Sequence, residues 1–291
     1  MPFTQVALND GHSIPGIGFG TWKVPNEVTA AQVTQALEAG FRHIDTAEIY
    51  GNEAEVGQAL SSTLSSTLSS TLSSTLSSPT SSLKRKDIYI TTKWFNISNR
   101  TPRQSLLLSL QNLGLDYVDL YLVHQPFLVK GDFEGVWREF EALKEEGLAR
   151  SIGVSKYLHE GTARTNPRLS HHPPAVNQIL LHPYVISTQG PLLAYLGEKN
   201  IVAEGYSSLV PITSKKGGPL DRVLEAIAGR LQKTPGQVLL GWSKVKGAVV
   251  VTSSSKKTRL ESYLAVGDIT LTDEDVRAID EAGIKGDINK E

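Results

Sequence analysis

The sequence predicts an α/β fold, a closed (β/α)8 TIM barrel, and three observations support this prediction. The chain has 291 residues, which suits one such barrel of roughly 250 residues. Eight short apolar runs alternate with longer stretches of helical periodicity, and the series begins with a run. The runs are apolar on both faces, as strands of a buried parallel sheet are. We expect a single barrel domain over residues 1–291.

The predicted strands are short and regularly spaced along the chain. They are residues 16–20, 41–45, 87–93, 117–124, 150–155, 175–179, 200–207 and 247–253. A doubly wound open sheet is the competing α/β fold, and it carries a glycine-rich phosphate turn after its first strand. Here the first turn reads GFGTWKVP. It does not match that pattern, so the closed barrel is favoured.

Helical patterns lie between these runs, and several carry start or stop signals. Pro102 opens one pattern and Gly114 follows its end, while Gly147 ends the next. The predicted helices are residues 30–39, 53–60, 102–113, 133–146, 189–199, 220–231 and 257–265. After the fifth strand, residues 157–169 show only a weak helical pattern, and the stretch 157–174 lacks the usual apolar periodicity, so an irregular helix is expected there.

Two segments fall outside the alternation. Residues 4–7 and 13–17 flank the turn signal Asn-Asp-Gly, which predicts a β-hairpin that closes the barrel bottom. Residues 61–82 form a low-complexity Ser/Thr/Leu insertion with four copies of Ser-Ser-Thr-Leu. Ser and Thr are poor helix formers because their hydroxyls compete for the backbone. We therefore expect the second helix to fray into a mobile loop here, without a function of its own.

Composition excludes several classes of function. The formal net charge is -1, so no basic excess draws the chain to nucleic acid or to a membrane surface. There are no cysteines, which excludes disulfides, thiolate metal sites and a cysteine nucleophile. The start of the chain lacks a signal-peptide pattern, and no apolar stretch approaches the ~18 residues of a membrane helix. We expect a cytoplasmic protein.

Ionisable residues end three consecutive predicted strands. Asp45 ends the second strand, Lys93 the third and His124 the fourth, and Tyr50 follows Asp45 on the next loop. Each residue alone is compatible with a helix cap, a surface charge, a buried histidine or a packing aromatic. The C-terminal strand ends of a TIM barrel form one face, which carries the active site. The four side chains are therefore predicted to meet there.

The sequence around these residues resembles the aldo-keto reductases. The resemblance is carried by HIDTAEIYGNEAEVGQAL, ITTKW and LYLVHQP, and continues through GFGTW, RSIGVS, AVNQI, EGYSSL and VVVTSSSKKTRL. The resemblance covers nearly the whole chain except the insertion and residues 157–174. Within the family, the sequence is most similar to the fungal branch. The resemblance implies NADPH-dependent reduction of aldehydes or ketones, with Asp45, Tyr50, Lys93 and His124 as the catalytic tetrad.

These four residue types suit that chemistry. A carbonyl that receives hydride needs a proton, and a free tyrosine, whose pKa is about 10, donates it reluctantly. The ammonium of Lys93 is expected to lower the pKa of Tyr50, and Asp45 to hold Lys93 in place. His124 would hydrogen-bond the carbonyl oxygen. The nicotinamide cofactor carries the redox step itself.

The resemblance also implies an NADPH site across the barrel mouth. Tyr206 would stack on the nicotinamide, Ser155 and Gln178 would bond its carboxamide, and a hydroxyl and cation cluster would hold the 2′-phosphate. The complete implied set is Gly20, Thr21, Trp22, Ser155, Lys156, Gln178, Tyr206, Ser207, Leu209, Ser253, Ser254, Lys256 and Arg259. Lys156 stands where the family usually has Asn, and lysine cannot accept a hydrogen bond.

The substrate is expected to be a small-molecule aldehyde, ketone or dicarbonyl. By resemblance, three segments shape the substrate pocket: a short loop over residues 125–132, a loop over residues 210–218 and a short C-terminal tail. They are expected to leave the pocket shallow and open. Its predicted wall consists of Trp22, Tyr50, Trp94, His124 and Phe127. The family also suggests a monomer.

Two alternative functions are kept open. A metal-dependent TIM-barrel enzyme would need converging ligands, and His171-His172 has no suitably spaced carboxylate, so we expect no metal. A catalytically weak sensor that binds the nicotinamide cofactor is the second alternative. The intact tetrad argues against both, although Lys156 leaves room for the sensor.

Overall fold

The barrel is present in the computed structural model, which describes residues 4–69, 83–129, 131–158 and 172–287. All eight predicted strands are confirmed. They are β3 (Ile17–Gly20), β4 (His43–Asp45), β5 (Tyr89–Trp94), β6 (Val118–Val123), β7 (Ala149–Ser155), β8 (Val176–Leu180), β9 (Val202–Tyr206) and β10 (Val249–Thr252). Each pairs in parallel with the next, and β10 pairs with β3, which closes the barrel.

The predicted hairpin is also confirmed. Strands β1 (Gln5–Ala7) and β2 (Ser13–Pro15) pair antiparallel. Ile14 is fully buried, and it belongs to one apolar cluster with Tyr89 and Val249, the first residues of β5 and β10. The hairpin therefore covers the N-terminal end of the barrel and leaves the opposite end for the polar residues.

Ten α-helices are described, together with short 3₁₀ turns. They are α1 (Asn26–Ala39), α2 (Glu53–Ser69), α3 (Pro102–Leu113), α4 (Phe133–Glu145), α5 (Ile186–Glu198), α6 (Val210–Thr213), α7 (Leu220–Leu231), α8 (Pro235–Val245), α9 (Lys257–Leu264) and α10 (Asp273–Lys285). Helices α6, α8 and α10 are not among those predicted from the sequence. Helices α8 and α10 carry capping boxes at Thr234 and Thr272 that could have revealed them.

The second helix differs from its prediction. It was expected to fray after residue 60, yet it continues to Ser69. Leu60 is buried, Thr63 is nearly so, and Leu64 packs against the core. This apolar stripe outweighs the low helix propensity of Ser and Thr, because packing stabilises helices more than propensity does. The rest of the predicted insertion, residues 70–82, lies outside the described residues. Residues 159–171, where an irregular helix is predicted, also lie outside them.

The main apolar core lies between the barrel strands and the surrounding helices. The bulkiest fully buried aromatic side chains that line it are Trp242, Tyr121, Phe19, Phe41 and Phe140. A second apolar cluster, which includes Leu120, Leu122 and Val249, lies inside the barrel. Buried polar residues also face the interior, namely His43, Asp45, Lys93, Gln178 and Glu204, and they define where chemistry can occur. Among the described residues, no helix has the length and apolar character needed to cross a bilayer.

Candidate active site

The side chains of Lys93, Asp45 and Tyr50 meet at the C-terminal end of the barrel. The Lys93 Nζ donates to Asp45 Oδ1 at 2.7 Å and Oδ2 at 2.8 Å, and to the Thr46 carbonyl at 2.8 Å. It also lies 3.3 Å from the Tyr50 Oη. Lys93 is fully buried and Asp45 nearly so. A buried ammonium requires this pairing and hydrogen bonding, since its desolvation would otherwise be costly.

A short turn brings Tyr50 to this ion pair. Strand β4 ends at Asp45, and a 3₁₀ turn over Glu48–Tyr50 follows, ended by Gly51 at φ 69°. Glycine adopts this left-handed conformation without strain. The buried Asn52 then donates to the carbonyls of Thr21 and Val24, at 3.0 and 3.2 Å. These bonds tie the loop after β4 to the loop after β3, which fixes the position of the phenol.

His124 completes the group. Its backbone N–H donates to the Trp94 carbonyl at 3.1 Å, and its ring lies 5.7 Å from the Tyr50 ring in edge-to-face geometry. Burial, together with the charges of Lys93 and Lys156, lowers the pKa of His124 to about 2. The imidazole is therefore neutral near pH 7 and can both donate and accept a hydrogen bond.

The proton affinity of Tyr50 differs from expectation. Lys93 was expected to lower the pKa of Tyr50, and it does act in that direction, but burial is the larger cause and raises it. Asp45 and Glu204 add to the increase, so the net pKa of Tyr50 lies above its ordinary value. The phenol consequently carries its proton at neutral pH, and the ammonium of Lys93 reduces the free-energy cost of losing that proton.

Aromatic rings form a wall around these groups. Trp22, which is 55% exposed, lies 4.8 Å from the Tyr50 ring. Phe95 lies 5.4 Å from the His124 ring and 6.2 Å from that of Phe127. Phe95 is not among the predicted wall residues, although its position two residues after Lys93 places it on the same side of the chain.

Trp94 does not belong to this wall, contrary to prediction. Its side chain is 3% exposed, its ring packs edge-to-face against Phe140 at 6.4 Å, and its indole N–H donates to the Arg100 carbonyl. Successive strand residues point to opposite faces. Because Lys93 points into the barrel, Trp94 points outward into the layer between strands and helices.

The residues predicted to hold a nicotinamide ring lie on three adjacent strands: Ser155 ends β7, Gln178 is in the middle of β8 and Tyr206 ends β9. Ser155 Oγ donates to the Gln178 carbonyl at 3.1 Å, and the Tyr206 ring is partly exposed. The Nε2 of Gln178 donates to two carboxyl groups inside the barrel, those of Asp45 and Glu204, each at 2.7 Å. Its amide hydrogens are therefore engaged below the mouth. Lys156 has φ 63°, and its Nζ lies 5.7 Å from the Tyr206 ring centroid.

The residues predicted to bind phosphate gather at the start of α9. Ser253, Lys256 and Arg259 are exposed, and the Lys256 backbone N–H donates to Ser254 Oγ at 3.1 Å. Backbone N–H groups at a helix start, next to exposed cations, suit a phosphate dianion. The geometry therefore fits this ligand class.

The remaining predicted cofactor residues differ in their exposure and in their contacts. Ser207 is exposed beside the partly buried Leu209. A Cβ on Gly20 would lie 2.9 Å from the Val251 side chain, so only glycine fits there without displacement. The Thr21 side chain is fully buried, and its hydroxyl bonds Thr46 Oγ1 at 3.0 Å, so it holds the loop and does not face the mouth.

A further buried carboxyl was missed entirely. Glu204 lies inside the barrel. One carboxylate oxygen of Glu204, one of Asp45 and one ring nitrogen of His43, the atoms that could bind a metal ion, lie within 4.8 Å of one another. Both oxygens of Asp45 already accept hydrogen bonds from Lys93 or Gln178. The trio is therefore part of the ion-pair network rather than a free set of metal ligands.

Comparison with known proteins agrees with this arrangement. The Aldo/keto reductase family profile matches residues 16–284. An aldo-keto reductase from Mycolicibacterium vanbaalenii is 39% identical over 94% of this chain and 90% of its own length. Methylglyoxal reductase DkgA from Yersinia pestis is 35% identical over 94% of this chain and 91% of its own. The crystal structure of a Bombyx mori aldo-keto reductase in complex with NADP has a TM-score of 0.84 and 31% identity, covering 97% of this chain and 93% of that one. The chain belongs to the aldo/keto reductase family.

Proposed function

We propose that this protein reduces aldehydes or ketones to alcohols with NADPH, and that Tyr50 donates the proton. The observation that carries the proposal is the contact between the protonated Tyr50 phenol and the buried Lys93 ammonium, 3.3 Å apart. A protonated phenol beside a fixed cation suits proton donation, because the cation stabilises the phenolate left behind.

Each member of the tetrad has a distinct part in this reaction. Tyr50 gives its proton to the carbonyl oxygen, and Lys93 stabilises the resulting phenolate. Asp45 holds Lys93 through both carboxylate oxygens. The neutral imidazole of His124 donates a hydrogen bond to the same carbonyl oxygen and orients it. The bound cofactor supplies the hydride.

The choice of NADPH rests on the exposed cluster at the start of α9. Lys256 and Arg259 stand beside backbone N–H groups there, and these suit a 2′-phosphate, which NADH lacks. The NADP complex of the Bombyx mori relative supports the same choice. We place the nicotinamide against Tyr206, with Ser155, Lys156 and Gln178 near its carboxamide and with Ser207 and Leu209 along the pyrophosphate.

The substrate class follows from the aromatic wall of Trp22, Phe95 and Phe127 around Tyr50 and His124. Such a wall favours small apolar or conjugated carbonyls, and a methylglyoxal reductase among the relatives supports dicarbonyls. A single barrel domain with an insertion over residues 61–82, a monomeric state and a cytoplasmic location stay predictions.

A second candidate function is a cofactor-binding sensor with little turnover. One observation favours it: the Lys156 ammonium lies over the Tyr206 ring, where we place the nicotinamide. A cation already stacked on this ring competes with the cofactor.

One experiment separates the two functions. NADPH and NADH consumption is followed spectrophotometrically with a panel of aldehydes, α-keto esters and diketones, and cofactor binding is measured separately by fluorescence. Variants Tyr50→Phe and Tyr117→Phe are compared, since Tyr117 packs against Arg85 and Arg150 near the hairpin end. The proposal expects consumption that prefers NADPH, is retained in Tyr117→Phe and is lost in Tyr50→Phe. Binding of NADPH without consumption of any carbonyl would instead indicate the sensor.

A further inference from the structure

Glu204 is a fully buried carboxyl on β9, beneath the ion pair of Asp45 and Lys93. The Nε2 of Gln178 donates one hydrogen bond to Glu204 Oε2 and another to Asp45 Oδ2, both at 2.7 Å. One amide group therefore joins two carboxyl groups inside the barrel. Neither the tetrad nor the cofactor site, as proposed above, uses Glu204.

The charges around Glu204 do not balance. An ammonium has three hydrogens, and those of Lys93 are directed to Asp45, to the Thr46 carbonyl and to Tyr50. The His43 Nε2 is 3.7 Å from Glu204 Oε1, but burial and then the charge of Lys93 lower the pKa of His43 to about 3, so that ring is neutral. Among the described residues, the two neighbouring carboxyls of Asp45 and Glu204 therefore have one buried ammonium beside them, and it donates to Asp45.

A buried carboxyl in this position keeps its proton more readily than usual. Burial, followed by the negative charge of Asp45, raises the pKa of Glu204 to about 8, against the opposing effects of Gln178 and Lys93. Glu204 is therefore protonated at neutral pH and becomes charged in mild alkali.

The groups that face Glu204 come from several elements. They are His43 and Asp45 from β4, Tyr89 and Lys93 from β5, Gln178 from β8 and Tyr50 from the turn after β4. The adjacent strand β10, with sequence VVVT, contributes no titratable group. Of these groups, Tyr50 is the one that the proposed reaction requires to lose a proton.

We propose that Glu204 is a positioning residue whose charge adjusts how tightly Tyr50 holds its proton, acting through the contacts of Gln178, Asp45 and Lys93 that join it to the phenol. When Glu204 is neutral, the field of Lys93 on the phenol is opposed by Asp45 alone. When Glu204 is ionised, a second negative charge opposes Lys93, and the pKa of Tyr50 rises further. Tyr50 thereby remains an acid in alkaline solution, where it would otherwise begin to lose its proton.

The catalytic meaning of this link rests on the proposed function, but the link itself is testable without cofactor or substrate. Ultraviolet difference titration of tyrosinate, as wild type minus Tyr50→Phe, isolates the ionisation of Tyr50. The same pair is then measured in a Glu204→Gln background, which fixes this side chain in a neutral state. We expect the Tyr50 midpoint to fall by about one pH unit, a tenfold change in proton affinity.

Glu53→Gln is the matched control. Glu53 is also a buried carboxyl with a pKa raised by burial, but it bonds Thr92 and Ser109 in the layer between strands and helices. Its replacement is expected to leave the Tyr50 midpoint in place. An unchanged midpoint in Glu204→Gln, or an equal shift in Glu53→Gln, would overturn the proposal.

Two further measurements separate the possible failures. In the reductase assay, the alkaline limb of kcat should move to lower pH in Glu204→Gln; if no carbonyl is reduced but the tyrosinate midpoint still shifts, the proposed function fails and the link to Glu204 stands. Should Glu204→Gln not fold, ¹³C NMR of glutamate carboxyls in the wild type and in Glu53→Gln serves instead. A carboxyl that titrates near pH 8 in both supports the proposal, and its absence overturns it.

Discussion

The phenol oxygen of Tyr50 lies 3.3 Å from the ammonium nitrogen of Lys93, whose side chain is fully buried. The two atoms come from consecutive barrel units, because Tyr50 follows β4 and Lys93 lies on β5. Their separation depends on Asp45, which binds the same ammonium from the end of β4. The ion pair therefore supports both the fold and the proposed reaction.

Breaking this pair should destabilise the protein. Burial tends to lower the pKa of Lys93, but Asp45 and Tyr50 raise it above its ordinary value, so Lys93 stays charged. Asp45→Asn leaves that charge poorly paired, and we expect the free energy of unfolding to fall by about 3–5 kcal/mol in urea titrations. Glu134→Gln removes one side of the exposed Arg138–Glu134 pair and should cost less than about 1 kcal/mol. Equal losses in the two variants would contradict this prediction.

Stability should decrease in mild acid because several histidines are buried in the neutral form. Burial, followed by Lys93, lowers the pKa of His43 to about 3, against an ordinary value of 6.5. Below pH 6.5 the unfolded chain binds a proton at His43, whereas the folded chain binds one there only below about pH 3. The free energy of unfolding therefore falls as the pH is lowered from 6.5 to about 3. At pH 5 this one group accounts for about 2 kcal/mol.

His43→Gln tests this effect by urea unfolding at pH 7 and pH 5. The loss of stability between the two pH values should be smaller by about 2 kcal/mol than in wild type. His12→Gln, at an exposed position on the hairpin turn, is the control and should leave the loss unchanged. The prediction fails if His43→Gln loses as much stability as the wild type does.

Cofactor affinity should respond to Lys156. Its ammonium lies 5.7 Å from the Tyr206 ring, and its pKa is lowered by burial and by Lys93, so the lysine is held in an unfavourable electrostatic setting. Lys156→Asn frees the ring and restores a side chain that both donates and accepts, and the Kd for NADPH should fall about threefold to fivefold. Lys156→Met, which frees the ring without adding an acceptor, should give a smaller gain in fluorescence titrations. Weaker binding by Lys156→Asn would show that the ammonium contributes favourably.

Phe95 and Trp94 should have separate effects although they are adjacent. Phe95 lines the wall near His124 and Phe127, so Phe95→Ala should raise KM for aromatic ketones. Trp94 packs in the core against Phe140, so Trp94→Phe should lower the free energy of unfolding by about 1–3 kcal/mol and leave KM unchanged. A KM effect confined to Trp94→Phe would reverse this assignment.

Trp94 and Phe95 also illustrate which parts of the site can be predicted from the sequence and which cannot. Strand order and the meeting of Asp45, Lys93 and His124 follow from alternation and strand ends, which a sequence displays. The prediction that Trp94 lines the pocket rested on the resemblance and was wrong. Successive side chains of a strand point to opposite faces, so Trp94 points outward because Lys93 points into the barrel. Glu204 was overlooked because it stands within an apolar run, where its exposure and partners depend on the closed barrel.

Other differences depend on tertiary packing. The extension of α2 to Ser69 reflects contacts of Leu60 and Leu64 with the core, which composition alone does not reveal. The position of Lys156 over Tyr206 depends on a positive φ at residue 156. Non-glycine residues rarely adopt this conformation, so the sequence offered no reason to expect it.

The most direct test of the proposed reaction follows the hydrogen that is transferred from NADPH to the carbonyl carbon. NADPH carrying deuterium on the transferable C4 position is mixed with a small diketone, and the alcohol product is analysed by mass spectrometry in wild type and Tyr50→Phe. We expect one deuterium on the carbinol carbon for each NADPH consumed, and a rate about a hundredfold lower in Tyr50→Phe than in wild type. Equal rates in the two proteins, or an alcohol without the label, would contradict it.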